Sequence, residues 1–245
     1  MQRFHVPTID YRYWAAILLA SVFGTNLGDL YAHESGLGLQ LGVVLLAVLT
    51  IPLFALERVD RRTHAVYYWL VIIIIRTGAT NIADYLQFRV HTPQLPLCLA
   101  LAAFIGFFGY RQQRASVAPA EVAGTPGGLP ESGAQYWLAM LGAGVFGTVL
   151  GDLCSRLLGQ LTASMIFTAL LLVAIAFRRR TAMAMATIYW ITVAIARTAG
   201  TAIGDWLAES HALNFGLPLA TLLSGIAFVG LLWISPKPGA STRAA

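Results

Sequence analysis

Long apolar stretches, broken by short polar ones, run the length of the chain. Eight are of spanning length: about 13–31, 37–56, 66–86, 94–110, 136–154, 160–177, 185–207 and 213–234. A helix needs about 20 residues to cross about 30 Å of hydrocarbon. The pattern therefore predicts an all-α, polytopic membrane protein with eight transmembrane helices. The fourth run is the shortest and holds Pro96, which blurs its start. The first run reads as a true span, because no short apolar core with a small-residue cleavage site precedes it.

The polar residues inside these runs recur at fixed positions. Tyr13-Trp14 leads to Asp29, Tyr68-Trp69 to Asp84, Tyr136-Trp137 to Asp152 and Tyr189-Trp190 to Asp205. Trp and Asp are fifteen residues apart every time, and the Asp is preceded by GTNLG, ATNIA, GTVLG or GTAIG. Each unit is predicted to be two helices, one carrying the motif and one plain apolar return helix. Units one and three pair as VFGTNLGDL and VFGTVLGDL; units two and four pair as RTGATNIADYL and RTAGTAIGDWL. The chain thus divides into two pseudo-symmetric four-helix halves, residues 1–110 and 136–245. The Ala-, Gly- and Pro-rich segment 111–135 reads as a flexible cytoplasmic linker between them. Both halves keep the same membrane orientation, so their axis runs along the membrane normal.

Four tandem units of Tyr-Trp followed by a GT-x-x-GD element are similar to the bacterial integral membrane family called domain of unknown function 347. The likeness covers nearly all of the chain outside the termini and the linker. It implies four repeats of two membrane helices, and no catalytic residue comes with it. Unit two departs from the motif with Ala79 and Ala83 in place of glycine, which reads as looser packing there.

Composition agrees with the spans. Only 11% of residues are charged, against roughly 25% in soluble domains, and the mean hydropathy is +0.70. Charge then sets the orientation. With both termini inside, the inner segments hold Arg3, Arg12, Arg58, Arg61, Arg62, Arg111, Arg114, Arg178, Arg179, Arg180, Lys237 and Arg243. The outer segments hold only Arg89 and Arg156. That bias predicts N-in, C-in topology in a bacterial cytoplasmic (inner) membrane. The basic pI of about 9.5 then reports topology, and no dense basic patch argues for nucleic acid. The outer side is acidic, with Asp29, Glu34, Asp84, Asp152, Asp205 and Glu209, and would concentrate cations.

The motif offers chemistry and packing together. If the Tyr-Trp pairs anchor at the inner interface as aromatic belts do, fifteen residues of helix lift each Asp about 22 Å. Thr25, Thr80, Thr148 and Thr201 lie one turn below the Asp residues on the same face. Gly24/Gly28, Ala79/Ala83, Gly147/Gly151 and Gly200/Gly204 allow close helix approach. Structural glue is accordingly the bland reading of the Gly-Thr part. Ionisable groups at membrane depth are costly and usually face a bundle interior or a water-filled cavity. Arg76 and Arg197 lie eight residues before Asp84 and Asp205. They are expected to reach an Asp or a carbonyl on a neighbouring helix. The resulting set of four Asp and two Arg leaves Asp29 and Asp152 as the surplus carboxylates. With Thr25, Thr148 and Asn26 these offer oxygen ligands to a hard cation, or they hold protons. Asn81 occupies the matching place in unit two. His33, four residues after Asp29, would add an imidazole, making Asp29, Asp152 and His33 the candidate metal set. His91 and His211 read as loop residues. Cys98 and Cys154 read as ordinary apolar cysteines, with a disulfide as the alternative.

No phosphate-binding loop, nucleophile elbow, HExxH or CxxC is present, so no enzymatic activity and no cofactor are expected. The leading expectation is a secondary transporter of a small cation, a divalent metal among the candidates, driven by protons or an ion gradient. The alternatives are a pseudo-fourfold cation channel and a non-transporting membrane module that assembles with or regulates a partner. The expected partners are the lipid bilayer, a small cation or proton, and a second copy of the chain.

Overall fold

The computed structural model describes residues 7–34, 65–116, 133–177 and 185–234, together with residues 42, 44, 46–49, 51 and 52. Among these residues every regular element is a helix and there are no strands. Helix α1 spans Tyr11–Asp29 and continues as a π-helical turn over Leu30–Glu34. The helical residues between 42 and 52 form α2. Helix α3 spans Ala65–Asp84 and also continues as a π turn, Tyr85–Arg89. Then follow α4 (Gln94–Ser116), α5 (Ala134–Leu158), α6 (Gln160–Phe177), α7 (Met185–Glu209) and α8 (Gly216–Ile234).

Six of these are long and apolar enough to cross a membrane: α1 and α3 with their π turns, α4, α5, α6 and α8. Helix α7 has the length, but Thr187, Thr192, Arg197, Thr198, Thr201 and Asp205 dilute its apolar character. Helix α4 runs on to Ser116 and α5 begins at Ala134, while residues 117–132 lie outside the described residues. So do most of the inner basic residues, Arg3, Arg58, Arg61, Arg62, Arg178, Arg179, Arg180, Lys237 and Arg243.

The motif helices α1, α3, α5 and α7 form an inner ring, each packed on the next and α7 packed back on α1. The return helices lie outside it. Helix α4 covers α5, α6 covers α7, and α8 covers α1, so these three return helices pack mainly on the inner helix that follows their own. Their outward faces are apolar, with Leu99 and Phe107 on α4, Leu161 and Leu172 on α6, and Leu222 and Ile226 on α8 exposed. That surface suits hydrocarbon, where helices can satisfy all their backbone polar groups internally.

Inside the ring, the Tyr-Trp pairs build the core at one end. They are not an interfacial belt: Tyr13, Trp14, Tyr68, Tyr136, Tyr189 and Trp190 are at most 2% exposed. The four tyrosine hydroxyls close a cycle of hydrogen bonds, Tyr13–Tyr68 at 2.7 Å, Tyr68–Tyr136 at 2.6 Å, Tyr136–Tyr189 at 2.8 Å and Tyr189–Tyr13 at 2.6 Å. A hydroxyl has one proton to donate and lone pairs to accept, so a ring of four satisfies every member. Each Trp stands edge-on to its own Tyr and tilts onto the Tyr of the preceding unit. Trp14 packs on Tyr189, Trp69 on Tyr13, Trp137 on Tyr68 and Trp190 on Tyr136, with centroids 5.6–5.8 Å apart. The same contact repeated four times is what the fifteen-residue repeat encodes.

Small residues set how closely the inner helices approach. A Cβ on Gly24 would lie 2.6 Å from the Arg76 side chain, and one on Gly147 2.6 Å from Arg197. A Cβ on Gly200 would lie 2.2 Å from that of Ser21. At the α3–α5 contact the roles swap. Ala79 stands where the other units have glycine, and the residue facing it is Gly144, whose added Cβ would meet Ala79 at 2.6 Å. The departure in unit two therefore moves the missing side chain across the interface rather than loosening it.

Candidate functional site

Above the tyrosine ring, the polar residues of the motif stack along the axis of the inner ring. The first level holds Ser21, Arg76, Gly144 and Arg197, the residues eight before each Asp. Both arginines are fully buried. Their surroundings differ, although the sequence places them identically.

Arg76 occupies the axis at the next level. Its Nη1 donates to Thr80 Oγ1 at 3.0 Å and Thr148 Oγ1 at 2.9 Å. Its Nη2 donates to Thr25 Oγ1 and, at 2.6 Å, to Thr201 Oγ1. One guanidinium thus takes a hydroxyl from each of the four repeats. The threonines are prepared for this by their own helices. Thr25 donates its proton to the Ser21 carbonyl at 2.8 Å, Thr201 to Arg197 at 3.2 Å and Thr80 to Arg76 at 3.5 Å. A hydroxyl that already donates one turn down presents only lone pairs to the axis. Three of the four threonines are thus held as acceptors, and the fork geometry of Arg fits the ring in a way a point-charge Lys would not.

Arg197 turns the other way. Nη1 donates to Ser21 Oγ at 3.1 Å, while Nε and Nη2 have no hydrogen-bond partner. Its electrostatic neighbours are the four tyrosines. Neither arginine pairs directly with an Asp, contrary to the expectation from spacing. Arg76 uses all four Nη hydrogens on the threonines, and Arg197 faces the opposite end. Arg76 is nonetheless close enough to feel all four carboxylates.

Asp29, Asp84, Asp152 and Asp205 gather at the end of the axis beyond Arg76, within electrostatic range of one another. Asp84 is buried and the other three are half-buried. They are not equivalent. Asp152 accepts from Gln87 Nε2 at 2.8 Å, and Gln87 Oε1 in turn accepts from Arg156 at 3.3 Å and from Gln94. Asp84 Oδ2 lies 3.7 Å from His33 Nε2. Ligand atoms of Asp29, His33 and Asp84 all lie within 4.8 Å of one another, a grouping able to hold a metal ion. Of the metal set expected from sequence, the structure brings Asp29 and His33 together with Asp84, while Asp152 is engaged by Gln87.

Asn26 and Asn81 are fully buried, and neither side-chain amide has a hydrogen-bond partner. Asn26 packs against Gly204 of α7, and Asn81 lies beside Gly42 of α2. Cys98 and Cys154 are free thiols. His91 and His211 stay outside the cluster, exposed in the connections after α3 and α7.

Two features escaped sequence reasoning. The tyrosine ring had a clear signal, the repeated Tyr, but an amphipathic ring suits a membrane interface as well as a polar core contact. Gln87 had no signal, since the matching residues in the other units are Ala32, Ser155 and Ala208.

Comparison with known proteins adds a family and no activity. The family model described as Repeat of Unknown Function (DUF347) matches residues 12–63 and 188–236, which cover the first and fourth repeats. No curated protein and no solved structure matches the chain.

Proposed function

The chain is a DUF347 repeat protein of membrane type, and from that premise we propose that it is a secondary transporter of a small cation. The observation that carries this reading is the gathering of four carboxylates, one per repeat, at one end of the axis directly beyond a buried guanidinium. Carboxylates collected at membrane depth attract cations and hold protons. Arg76 sets a positive charge behind them, so an ion entering the Asp cluster meets a barrier rather than an open pore. The tyrosine hydroxyls, in mutual contact, close the other end. Two closures on one axis favour alternating access over a continuous channel. Parallel repeats around an axis along the membrane normal are one arrangement that transporters use.

In this reading all eight helices cross the cytoplasmic membrane, both termini face inside, and the Asp cluster opens outward. The asymmetric distribution of Arg and Lys supports that orientation. A single cysteine placed at Ser210, in the connection beyond α7, would test it. The thiol should react with an impermeant maleimide in intact cells.

Flux into proteoliposomes tests the activity. Saturable, gradient-driven cation uptake, lost in Asp29→Asn and Asp84→Asn while thermal unfolding stays cooperative, is the expected result. Unitary currents in a planar bilayer would replace the transporter by a channel. No flux of any cation, with a stable co-purifying protein, would replace it by a partner-binding module.

A further inference from the structure

We propose that Asp29, His33 and Asp84 form a binding site for a first-row divalent metal ion, of the manganese, iron, cobalt or zinc class. The site lies at the mouth of the axial column, and naming this ion as the cargo rests on the transport reading above.

The geometry comes from two helices and two π turns. Asp29 closes α1 and His33 sits on the π turn that follows it, while Asp84 closes α3. π turns are rare and often mark functional sites. Both follow the Asp of an N-terminal repeat; α5 and α7 run past Asp152 and Asp205 as regular α-helix. The N-terminal half alone therefore carries the widened turn, the histidine and the paired carboxylates together.

The ligand atoms lie within 4.8 Å of one another. Metal bonds of about 2.0–2.2 Å bring neighbouring ligand atoms to roughly 3 Å apart. The closure required is a matter of side-chain rotation. The His33 side chain is 52% exposed and free to turn, while that of Asp84, 8% exposed, is fixed. Three protein ligands leave the remaining positions to water. That describes an open, exchangeable site rather than a closed structural one.

A second observation points to a ligand. Asn26 and Asn81 are fully buried with their amide oxygens and nitrogens unpartnered. Each lies three residues before one of the two carboxylates, one turn below it and on the same helix face. Asn81 also lies under the α1 π turn, since Gly42 approaches both the Tyr31 ring and the Asn81 amide. Buried unpaired amides are costly. Asn81, one turn below Asp84 and near the α1 π turn, offers an amide one step deeper than the metal ligands, while Asn26 faces Gly204 of α7.

The donor set selects the class of ion. One imidazole with two carboxylates suits a first-row transition metal. Calcium prefers six to eight oxygens, and magnesium keeps most of its waters. Asp152 does not join the set, because Gln87 already holds it and Arg156 stands beyond.

The test uses the full chain, purified in detergent and stripped with a chelator. Melting temperature is measured against Mn²⁺, Co²⁺ and Zn²⁺, with Mg²⁺ and Ca²⁺ as controls. A ligand that binds only the folded state raises the melting temperature with concentration. We expect a saturable rise with the transition metals and a Co²⁺ visible absorption band. Both should be lost in His33→Ala and Asp84→Asn and kept in His211→Ala, whose histidine lies outside the cluster. Because Asp84 is buried, the exposed His33→Ala and the milder His33→Gln keep the result interpretable if Asp84→Asn fails to fold. No rise with any of the three metals, an equal rise with Mg²⁺ or Ca²⁺, or a rise and band unchanged in His33→Ala would overturn the proposal. The two readings can fail separately. Metal binding without flux rejects the transporter and keeps the site. Flux of a monovalent cation that His33→Ala leaves intact, without metal binding, rejects the site and keeps the transporter.

Discussion

Gly144 and Ala79 allow the close approach of α3 and α5 to be tested by exchanging one methyl group across the interface. A Cβ on Gly144 would stand 2.6 Å from Ala79 Cβ, where ordinary contacts begin at 3.4 Å. Gly144→Ala must therefore push the two helices apart. Overpacking of this kind costs about 1–3 kcal/mol, partly offset by about 1 kcal/mol of helix propensity gained on replacing glycine. Ala79→Gly loses a similar propensity, about 1 kcal/mol, and leaves a small void. In the double variant the methyl returns to the interface from the other side, and the two propensity effects cancel. Its stability should come back close to that of the parent. The expected coupling is thus about 1–3 kcal/mol, in the range found for residues in contact. Reversible unfolding of all four proteins in one detergent supplies the cycle. If the double variant is as unstable as the two single effects added together, the methyl is not shared between these positions, and the account of unit two is wrong.

Two further outcomes follow from the axial hydrogen bonds. Thr25→Val keeps the shape and removes an acceptor from Arg76 Nη2. It should cost about 1–3 kcal/mol, the penalty of a buried donor left unpaired, whereas Thr25→Ser should cost much less; equal losses in thermal unfolding would show that the hydroxyl is not the partner. Tyr68→Phe breaks the hydroxyl cycle and leaves Tyr13 and Tyr136 without one neighbour each, while replacing all four tyrosines by Phe leaves no orphan. The quadruple variant should therefore melt well above the value expected by adding four single losses, and strict additivity would argue against a closed ring.

The repeat was legible because each polar residue stands out in an apolar run at a fixed distance from an Asp. Distances along one helix also placed each Thr one turn below its Asp. What lay beyond reach was the angle between helices. Tyr13 at the start of α1 could face lipid headgroups or three other tyrosines, and only the meeting of four copies decides between them. Arg76 and Arg197 share one position in the repeat, yet a turn of the side chain sends one to the threonine ring and the other towards Ser21. The complement of Ala79 by Gly144 was hidden for the same reason. The two positions occupy different places in their units and meet only across an interface. Asp152 looked unpaired for want of a repeated partner, and the residue that holds it, Gln87, belongs to one unit alone.

The packing of return helices on the next inner helix has a consequence for how the chain can be cut. Among the described residues α4, α6 and α8 each pack mainly on the inner helix of the following unit, and α8 covers α1, so the order of units has no natural first member. The start of α1 and the end of α8 lie on neighbouring helices running in opposite directions, and a short peptide joining them would close the polypeptide into a loop. Opening that loop between α4 and α5 would give a circularly permuted protein beginning with the third unit. The interfaces would be unchanged, and the location of the ends would become a matter of gene order rather than of architecture.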